Sequence, residues 1–151
     1  MSPAPSPSAD LYLIVGYDGS PPAQRALDAA VLLMQGRGGR ITVAYVAHMP
    51  STAMLSGGAV AEVEESFNEV ERELRAEADK RLSSQDSWGF ERREGVIADE
   101  LLAVARDTRD AHPNATVAVV VGSSSHAMHR VVGSVAVNLA RHSPVPLVIV
   151  P

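Results

Sequence analysis

The segment Val117–Ser134, VAVVVGSSSHAMHRVVGS, predicts a strand, a loop and the start of a helix in direct succession. Its first five residues are apolar and mostly β-branched, which is typical of a strand buried on both faces of a parallel sheet. Gly122 and the serines behind it begin the loop, and Gly133-Ser134 open a helical pattern over Val135–His142. Because unpaired N–H groups and the positive end of a helix dipole converge in such a loop, we interpret it as a phosphate-binding loop of a nucleotide site. The alternative is a tight turn that requires glycine and binds nothing.

The side chains of this loop restrict its chemistry. It contains no GxxxxGK[ST] motif, no lysine and no carboxylate, which argues against a P-loop kinase or GTPase and against direct coordination of Mg²⁺. The basic residues His126, His129 and Arg130 either offset nucleotide charge or lie exposed on the surface. Ser123 and Ser124 either donate hydroxyl groups to phosphate or only turn the chain.

Length and composition predict one soluble globular domain. A chain of 151 residues can bury one sizeable core, and its contents of 46% apolar and 21% charged residues are typical of such a domain. The net charge of −5 argues against a nucleic-acid or anionic-membrane partner. Without cysteine there is no disulfide, thiol nucleophile or Cys-based zinc site, and the five histidines lack metal-ligand spacing such as HExxH.

The first ten residues, MSPAPSPSAD, differ in composition from the remainder. They are rich in proline and serine and have neither the basic start nor the apolar core of a signal peptide. We therefore expect a disordered tail over residues 1–10 and a folded domain over residues 11–151. Since no apolar run approaches membrane-spanning length, we also expect a cytoplasmic protein.

The rest of the chain alternates strand and helix patterns. A second clear helix start is Ser20, an N-cap residue followed by proline, and Gly36 ends that helix. In the longest helical pattern, Ala59–Leu82, the apolar residues recur every three or four positions and predict a buried stripe that includes Val60 and Phe67. The predicted strands are Leu11–Gly16, Arg40–Val46, Trp88–Glu94, Val117–Val121 and Leu147–Val150, and the remaining helices are Asp99–Ala111 and Val135–His142.

This alternation predicts an α/β protein with a doubly wound parallel sheet. Ligands of such sheets bind beyond the carboxyl ends of the strands, where the strand order reverses. Two loops carry ligand-binding chemistry, Gly16–Ser20 after the first strand and Gly122–Ser134 after the fourth. If those two strands are neighbours, both loops line one crevice.

Three segments resemble the universal stress protein family: IVGYDGSPPAQRAL near the start, GVIADELLAVA in the third unit, and VVVGSSSHAMHRVVGSVAVNLARHSPVPLVIV at the end. The similarity extends from Leu11 to Pro151. It implies a single Rossmann-like domain with five parallel strands in the order 3-2-1-4-5, which places the first and fourth strands side by side.

The ATP-binding branch of that family has a loop pattern of Gly, two residues, Gly, nine residues, and Gly followed by Ser or Thr. Gly122 and Gly133-Ser134 match its ends, whereas Ser125 stands at the second glycine and only the seven residues His126–Val132 follow it, so the loop is two residues short. Asp18 matches the adenosine end of the site; its alternative role is to shape a turn. Val46 matches a position beside the base, or else is ordinary strand core. The site that the resemblance implies comprises Gly16, Tyr17, Asp18, Val46, Val121, Gly122, Ser123, Ser125, His126, Arg130, Gly133, Ser134 and Val135.

The resemblance implies a stress-response sensor or adaptor that binds an adenine nucleotide, ATP first among them, with any Mg²⁺ held through the phosphates. AMP or cyclic AMP is the alternative ligand, and a nucleotide-free dimerisation module is the alternative function. We expect no enzymatic activity beyond weak ATP hydrolysis, because one carboxylate near the crevice does not make a catalytic pair. The uncharged last strand, Leu147–Val150, lies at a sheet edge in the implied order, and we expect it to join two subunits into a homodimer.

Overall fold

The structure, a computed structural model, describes residues 9–48, 57–123 and 133–151. Within these ranges five strands and four helices alternate along the chain. The strands are β1 (Leu11–Gly16), β2 (Gly39–Ala47), β3 (Trp88–Glu94), β4 (Thr116–Gly122) and β5 (Leu147–Val150). The helices are α1 (Pro21–Met34), α2 (Gly57–Arg81), α3 (Ile97–Ala111) and α4 (Ser134–His142).

The five strands form one parallel sheet in the order β3-β2-β1-β4-β5, which confirms the predicted fold. β1 pairs with β2 on one side and with β4 on the other, so the two loops of the predicted crevice follow neighbouring strands. The strand order reverses between β1 and β4, which is where sheets of this type bind ligands.

The sheet separates two cores, because successive side chains of a strand point to opposite faces. Leu13 and Val15 of β1 pack with α1 and α2, whereas Ile14 packs with α3 and α4. The apolar runs of β1 and β4 are buried on both faces, as their β-branched composition predicted.

Helix α1 begins as the sequence predicted. The Ser20 hydroxyl accepts a hydrogen bond from the Ala23 N–H at 3.4 Å, and two prolines occupy the first turn. The helix ends at Met34, and Gly36 then turns the chain toward β2 with a φ of +71°.

The prediction of a buried stripe along all of α2 was wrong for its first half. Leu74, Ala78 and Leu82 are buried, but Val60 is 46% exposed and Phe67 is half-buried. A helix of 25 residues is about 37 Å long, whereas a strand of seven residues spans only about 23 Å. Helix α2 is therefore longer than the strand that follows it, and among the described residues the buried side chains of α2 lie in its carboxyl-terminal half.

Helix α3 begins at Ile97, two residues before the predicted start. Val96 stands at its N-cap without a side-chain hydrogen bond, so the sequence carries no capping residue that would mark this position. Among the described residues, no helix is long and apolar enough to cross a membrane.

Candidate nucleotide site

A cleft of about 220 Å³ opens at the carboxyl edge of the sheet, between the ends of β1 and β4. It contains nine of the thirteen predicted site residues: Gly16, Tyr17, Asp18, Val46, Val121, Gly122, Gly133, Ser134 and Val135. The structure thus brings the loop Gly16–Ser20 and the two described ends of the loop Gly122–Ser134 to one crevice. Ser125, His126 and Arg130 lie outside the described residues. The prediction that the loop is two residues short concerns the same segment.

Ser123 is described but does not line the cleft. Its backbone N–H donates to the Val150 carbonyl at 2.8 Å, which extends the pairing of β4 with β5 by one residue. The Ser123 backbone thus continues the sheet ladder, and the two roles that the sequence left open for this residue, a hydroxyl donor to phosphate or part of a turn, stay predictions.

The floor of the cleft is apolar and belongs to the core on the α3 and α4 face of the sheet. Ala44, Leu101, Val121 and Ala136 are buried there, and Val46 packs against them. A Cβ on Gly16 would lie 3.1 Å from Leu101 Cδ1 and 3.3 Å from Val121 Cγ1. Gly16 therefore lets the side chains of α3 and β4 approach β1 closely at this point.

Two wall residues come from the start of α3 and were not predicted as site residues. Ile97 and Leu101 line the cleft, and Ile97 remains 38% exposed at its mouth. The sequence predicted Leu101 as part of the helix Asp99–Ala111 and left Ile97 outside that helix. An apolar residue in the first turn of a helix that follows a parallel strand is the signal that could have placed Ile97 at this edge.

The turn after β1 supplies the carboxylate of the cleft. Asp18 is exposed, and its Oδ1 accepts a hydrogen bond from the Ser20 N–H at 3.0 Å. This contact shows the turn-shaping role of Asp18. A carboxylate has further acceptor sites on its two oxygens, so the bond to Ser20 leaves capacity for a ligand hydroxyl or amino group.

The side chain of Tyr17 lies on the face of the sheet that packs against α1 and α2, opposite to the face that forms the floor of the cleft. The ring is 3% exposed within the core formed with α1 and α2, and the Tyr17 N–H donates to the Ala44 carbonyl at 2.9 Å. We infer that main-chain atoms of Tyr17 line the cleft. Its hydroxyl has no hydrogen-bond partner among the described residues. Burial, followed by the neighbouring Glu77 carboxylate, raises the pKa of the Tyr17 phenol above its usual value of 10.0.

The other end of the cleft is the amino terminus of α4. Gly133 stands at the N-cap with φ −59° and ψ 159°, and the first backbone bond of the helix runs from the Val137 N–H to the Gly133 carbonyl at 3.1 Å. The N–H groups that precede Val137 in the first turn have no carbonyl partner within the helix, and no acidic residue lies in this turn. This end is therefore positively polarised, as an anion site requires.

Gly122 has a packing reason to be glycine. A Cβ built on it would lie 2.2 Å from the Pro22 carbonyl oxygen and 2.4 Å from the carbonyl carbon. The end of β4 thus contacts the first turn of α1 backbone to backbone, independently of any ligand. Among the described residues, no group of His, Asp or Glu side chains is placed to hold a metal ion.

Comparison with family models identifies the chain. The model of the universal stress protein family matches residues 13–151. This protein belongs to the universal stress protein family. A comparison with curated proteins gave no match.

Solved structures of universal stress proteins share the fold. UspA from Lactobacillus plantarum has a TM-score of 0.72 at 20% identity, with 95% of this chain and 99% of that chain covered. A universal stress protein in complex with cAMP gives 0.68 at 24% identity, covering 95% and 99% of the two chains. One from Archaeoglobus fulgidus in complex with dAMP gives 0.53 at 16% identity, covering 97% and 100%.

Proposed function

We propose that this universal stress protein binds an adenine nucleotide, ATP first among them, in the cleft between β1 and β4. The observation that carries the proposal is the polarity of the cleft: a carboxylate at one end, apolar walls, and the positive end of α4 at the other. The structures solved with cAMP and dAMP support an adenine nucleotide as the ligand class.

Each part of an adenine nucleotide has a matching surface in the cleft. The base packs between the apolar side chains of Val46, Ile97 and Leu101, while Asp18 accepts a hydrogen bond from a ribose hydroxyl or from the adenine amino group. The phosphates lie at Gly133 and Ser134, where the first-turn N–H groups of α4 meet them. Any Mg²⁺ is held through the phosphates.

We propose a sensor or adaptor role instead of catalysis. Asp18 is the one carboxylate among the described residues that line the cleft. Hydrolysis or group transfer requires a positioned acid and base, or a nucleophile beside a base, and a single exposed carboxylate supplies neither pair. Slow ATP hydrolysis is the most activity that we expect. The cytoplasmic location of the protein also stays a prediction.

Thermal unfolding with and without ligand tests nucleotide binding. A ligand at 100 times its Kd stabilises the fold by about 2.7 kcal/mol, which raises the Tm by roughly 5–11 °C for a domain of this size. We expect such a shift with at least one of ATP, ADP, AMP and cyclic AMP, and a smaller one with GTP. Mass spectrometry of nucleotide released from freshly purified protein identifies the natural ligand. An unchanged Tm with millimolar amounts of all four adenine nucleotides would contradict the proposal.

We also propose that two copies of the chain form a homodimer through β5. If the protein binds no nucleotide, dimerisation itself would be its function. The two edges of the sheet differ. On β3, Arg92 pairs with Glu64 at 2.7 Å and Arg93 pairs with Asp107 at 3.0 Å, so charges cover that edge. The β5 edge reads Leu-Val-Ile-Val, carries no charge and is half-buried. An uncharged edge strand invites pairing with another strand, and a two-fold axis would pair β5 with its copy.

A further inference from the structure

One polar side chain of α1, that of Gln24, links helix α2 to the turn that carries Asp18. The Gln24 amide nitrogen donates to the Gly19 carbonyl at 3.1 Å and to Glu77 Oε1 at 2.7 Å. Gln24 is partly buried, and Glu77 belongs to α2, 53 positions away in the chain. The main chain of the turn is thus tied to a helix that does not itself line the cleft.

Apolar contacts support the same side of the turn. Gly19 has a φ of +79°, and a Cβ on it would lie 2.7 Å from Leu74 Cδ2, so α2 packs directly on the turn. The Tyr17 ring packs in the core that contains Leu74 and Ala78. Residues on both sides of Asp18 are therefore held by α2, while Asp18 itself faces the cleft.

A second polar bridge between α1 and α2 lies one helical turn further on. Arg81 Nη1 donates to both carboxylate oxygens of Asp28 at 3.0 Å. Asp28 follows Gln24 by four positions and Arg81 follows Glu77 by four, so the two bridges have matching positions on the same pair of helices. Only the first of them includes a hydrogen bond to the turn.

We propose that Gln24 and Glu77 are positioning residues for nucleotide binding, because they fix the turn from which Asp18 reaches the ligand. The proposal rests on the proposed function of the cleft. A carboxylate on an exposed turn loses conformational freedom when it binds a ligand, and a turn that is already fixed loses less, so its affinity is higher. α2 thus contributes to binding without touching the nucleotide.

Four variants separate positioning from general stability. Gln24→Met keeps the bulk of the side chain and removes its hydrogen bonds, and we expect the Kd for the tightest adenine nucleotide to rise about 3- to 10-fold, as for one lost hydrogen bond. Glu77→Met should give a similar rise. Glu77→Gln keeps an oxygen that accepts the Gln24 N–H and should stay within about twofold of the parent. Asp28→Ala, the matched control, removes the Asp28–Arg81 bridge but leaves the contacts of Glu77 Oε1 with Gln24 and with Arg81 Nε, at 3.7 Å, in place. Its affinity should also stay within about twofold of the parent.

A double-mutant cycle tests whether the effect passes through Asp18. If Gln24 acts by positioning Asp18, the loss from Asp18→Asn is smaller in the Gln24→Met background than in the parent. Additive losses would overturn the proposal. So would an Asp28→Ala loss equal to that of Gln24→Met, or unchanged affinity in both Gln24→Met and Glu77→Met.

A measurement without ligand distinguishes failure of this proposal from failure of the proposed function. The Ser20 amide donates to Asp18 Oδ1, so its nitrogen–proton NMR signal reports the geometry of the turn. We expect Gln24→Met to shift or broaden this signal, and Asp28→Ala to leave it unchanged. If the parent binds none of the nucleotides, the proposed function fails whatever this signal does. An unchanged Ser20 signal in Gln24→Met refutes the positioning of the turn whether or not nucleotide binds.

Discussion

Replacing Gly122 with alanine should destabilise the protein, because the added methyl group has no space against the first turn of α1. The nearest atoms are the carbonyl oxygen of Pro22 at 2.2 Å, its carbonyl carbon at 2.4 Å and its Cβ at 2.8 Å. Two of the three are backbone atoms, so no side-chain rotation relieves the contact. Restoring an ordinary contact of 3.4 Å from 2.2 Å requires the Pro22 carbonyl to move by about 1.2 Å.

That displacement has a predictable size of effect. β4 is held by its pairing with β1 and β5, so the first turn of α1 has to move. Overpacking of this kind costs about 1–3 kcal/mol, which corresponds to a fall in Tm of roughly 2–12 °C for a domain of this size. Nucleotide affinity should fall too, since the turn of Asp18 leads directly into α1.

Thermal unfolding followed by circular dichroism, together with urea titration, measures the effect of Gly122→Ala. The matched control is Ser123→Ala, which adds no atom and keeps the backbone hydrogen bond to Val150. We expect its Tm to stay within about 2 °C of the parent. A Gly122→Ala protein as stable as the Ser123→Ala protein would refute the packing role of Gly122.

Three further predictions concern the two ends of the cleft and the sheet edge. Gly133→Val should abolish nucleotide binding, because its side chain would occupy the place of a phosphate. The φ and ψ of Gly133 accept valine, so we expect the fold to be kept, with a loss of about 1 kcal/mol in stability from weaker N-capping. Calorimetric titration, with Gly133→Ala for comparison, measures the affinity, and a retained affinity would show that the phosphates lie elsewhere. Tyr17→Phe removes a buried hydroxyl that lies beside the Glu77 carboxylate without a well-formed hydrogen bond, and should raise the free energy of unfolding at pH 8 by at most about 1 kcal/mol. Because folding raises the pKa of Tyr17, the parent loses stability as the pH rises above the unfolded value of about 10, and urea titrations at pH 8 and 11 should show a smaller loss in Tyr17→Phe. Val148→Lys should convert the proposed β5 dimer to monomer or to insoluble protein; a light-scattering mass of 15.9 kDa for the parent would contradict that proposal.

Most of the fold could be predicted from the sequence because the strands carry strong local signals. The bounds of β1, β3 and β5 were predicted to the residue, since each apolar or aromatic run ends at a turn signal. The strand order came from the resemblance and is confirmed. The burial of α2 was predicted less well. Helical periodicity shows which face of a helix is apolar, but it does not show how far the sheet extends beneath it.

The candidate site was predictable where a single loop supplies the chemistry. Gly16 ends β1, Asp18 and Gly133 lie in the segments between strand and helix whose composition marks them, and all three line the cleft. Ala44 has the local pattern of an ordinary buried strand, and only the packing of the sheet brings it to the cleft. Ile97 was missed because the predicted helix began two residues after it. The contact of Gln24 with Glu77 joins positions 53 residues apart, a separation over which a single sequence shows no pairing. The roles of Ser125, His126 and Arg130 stay predictions.

The central position of β1 also determines when the cleft can form during synthesis. β1 and β2 can pair early, but the other side of β1 waits for β4, whose Thr116 pairs with Leu11 from about a hundred residues further along the chain. The phosphate end needs α4, which follows later still. The cleft therefore needs both halves of the chain, so a nucleotide can stabilise only molecules in which β4 and α4 have already joined β1.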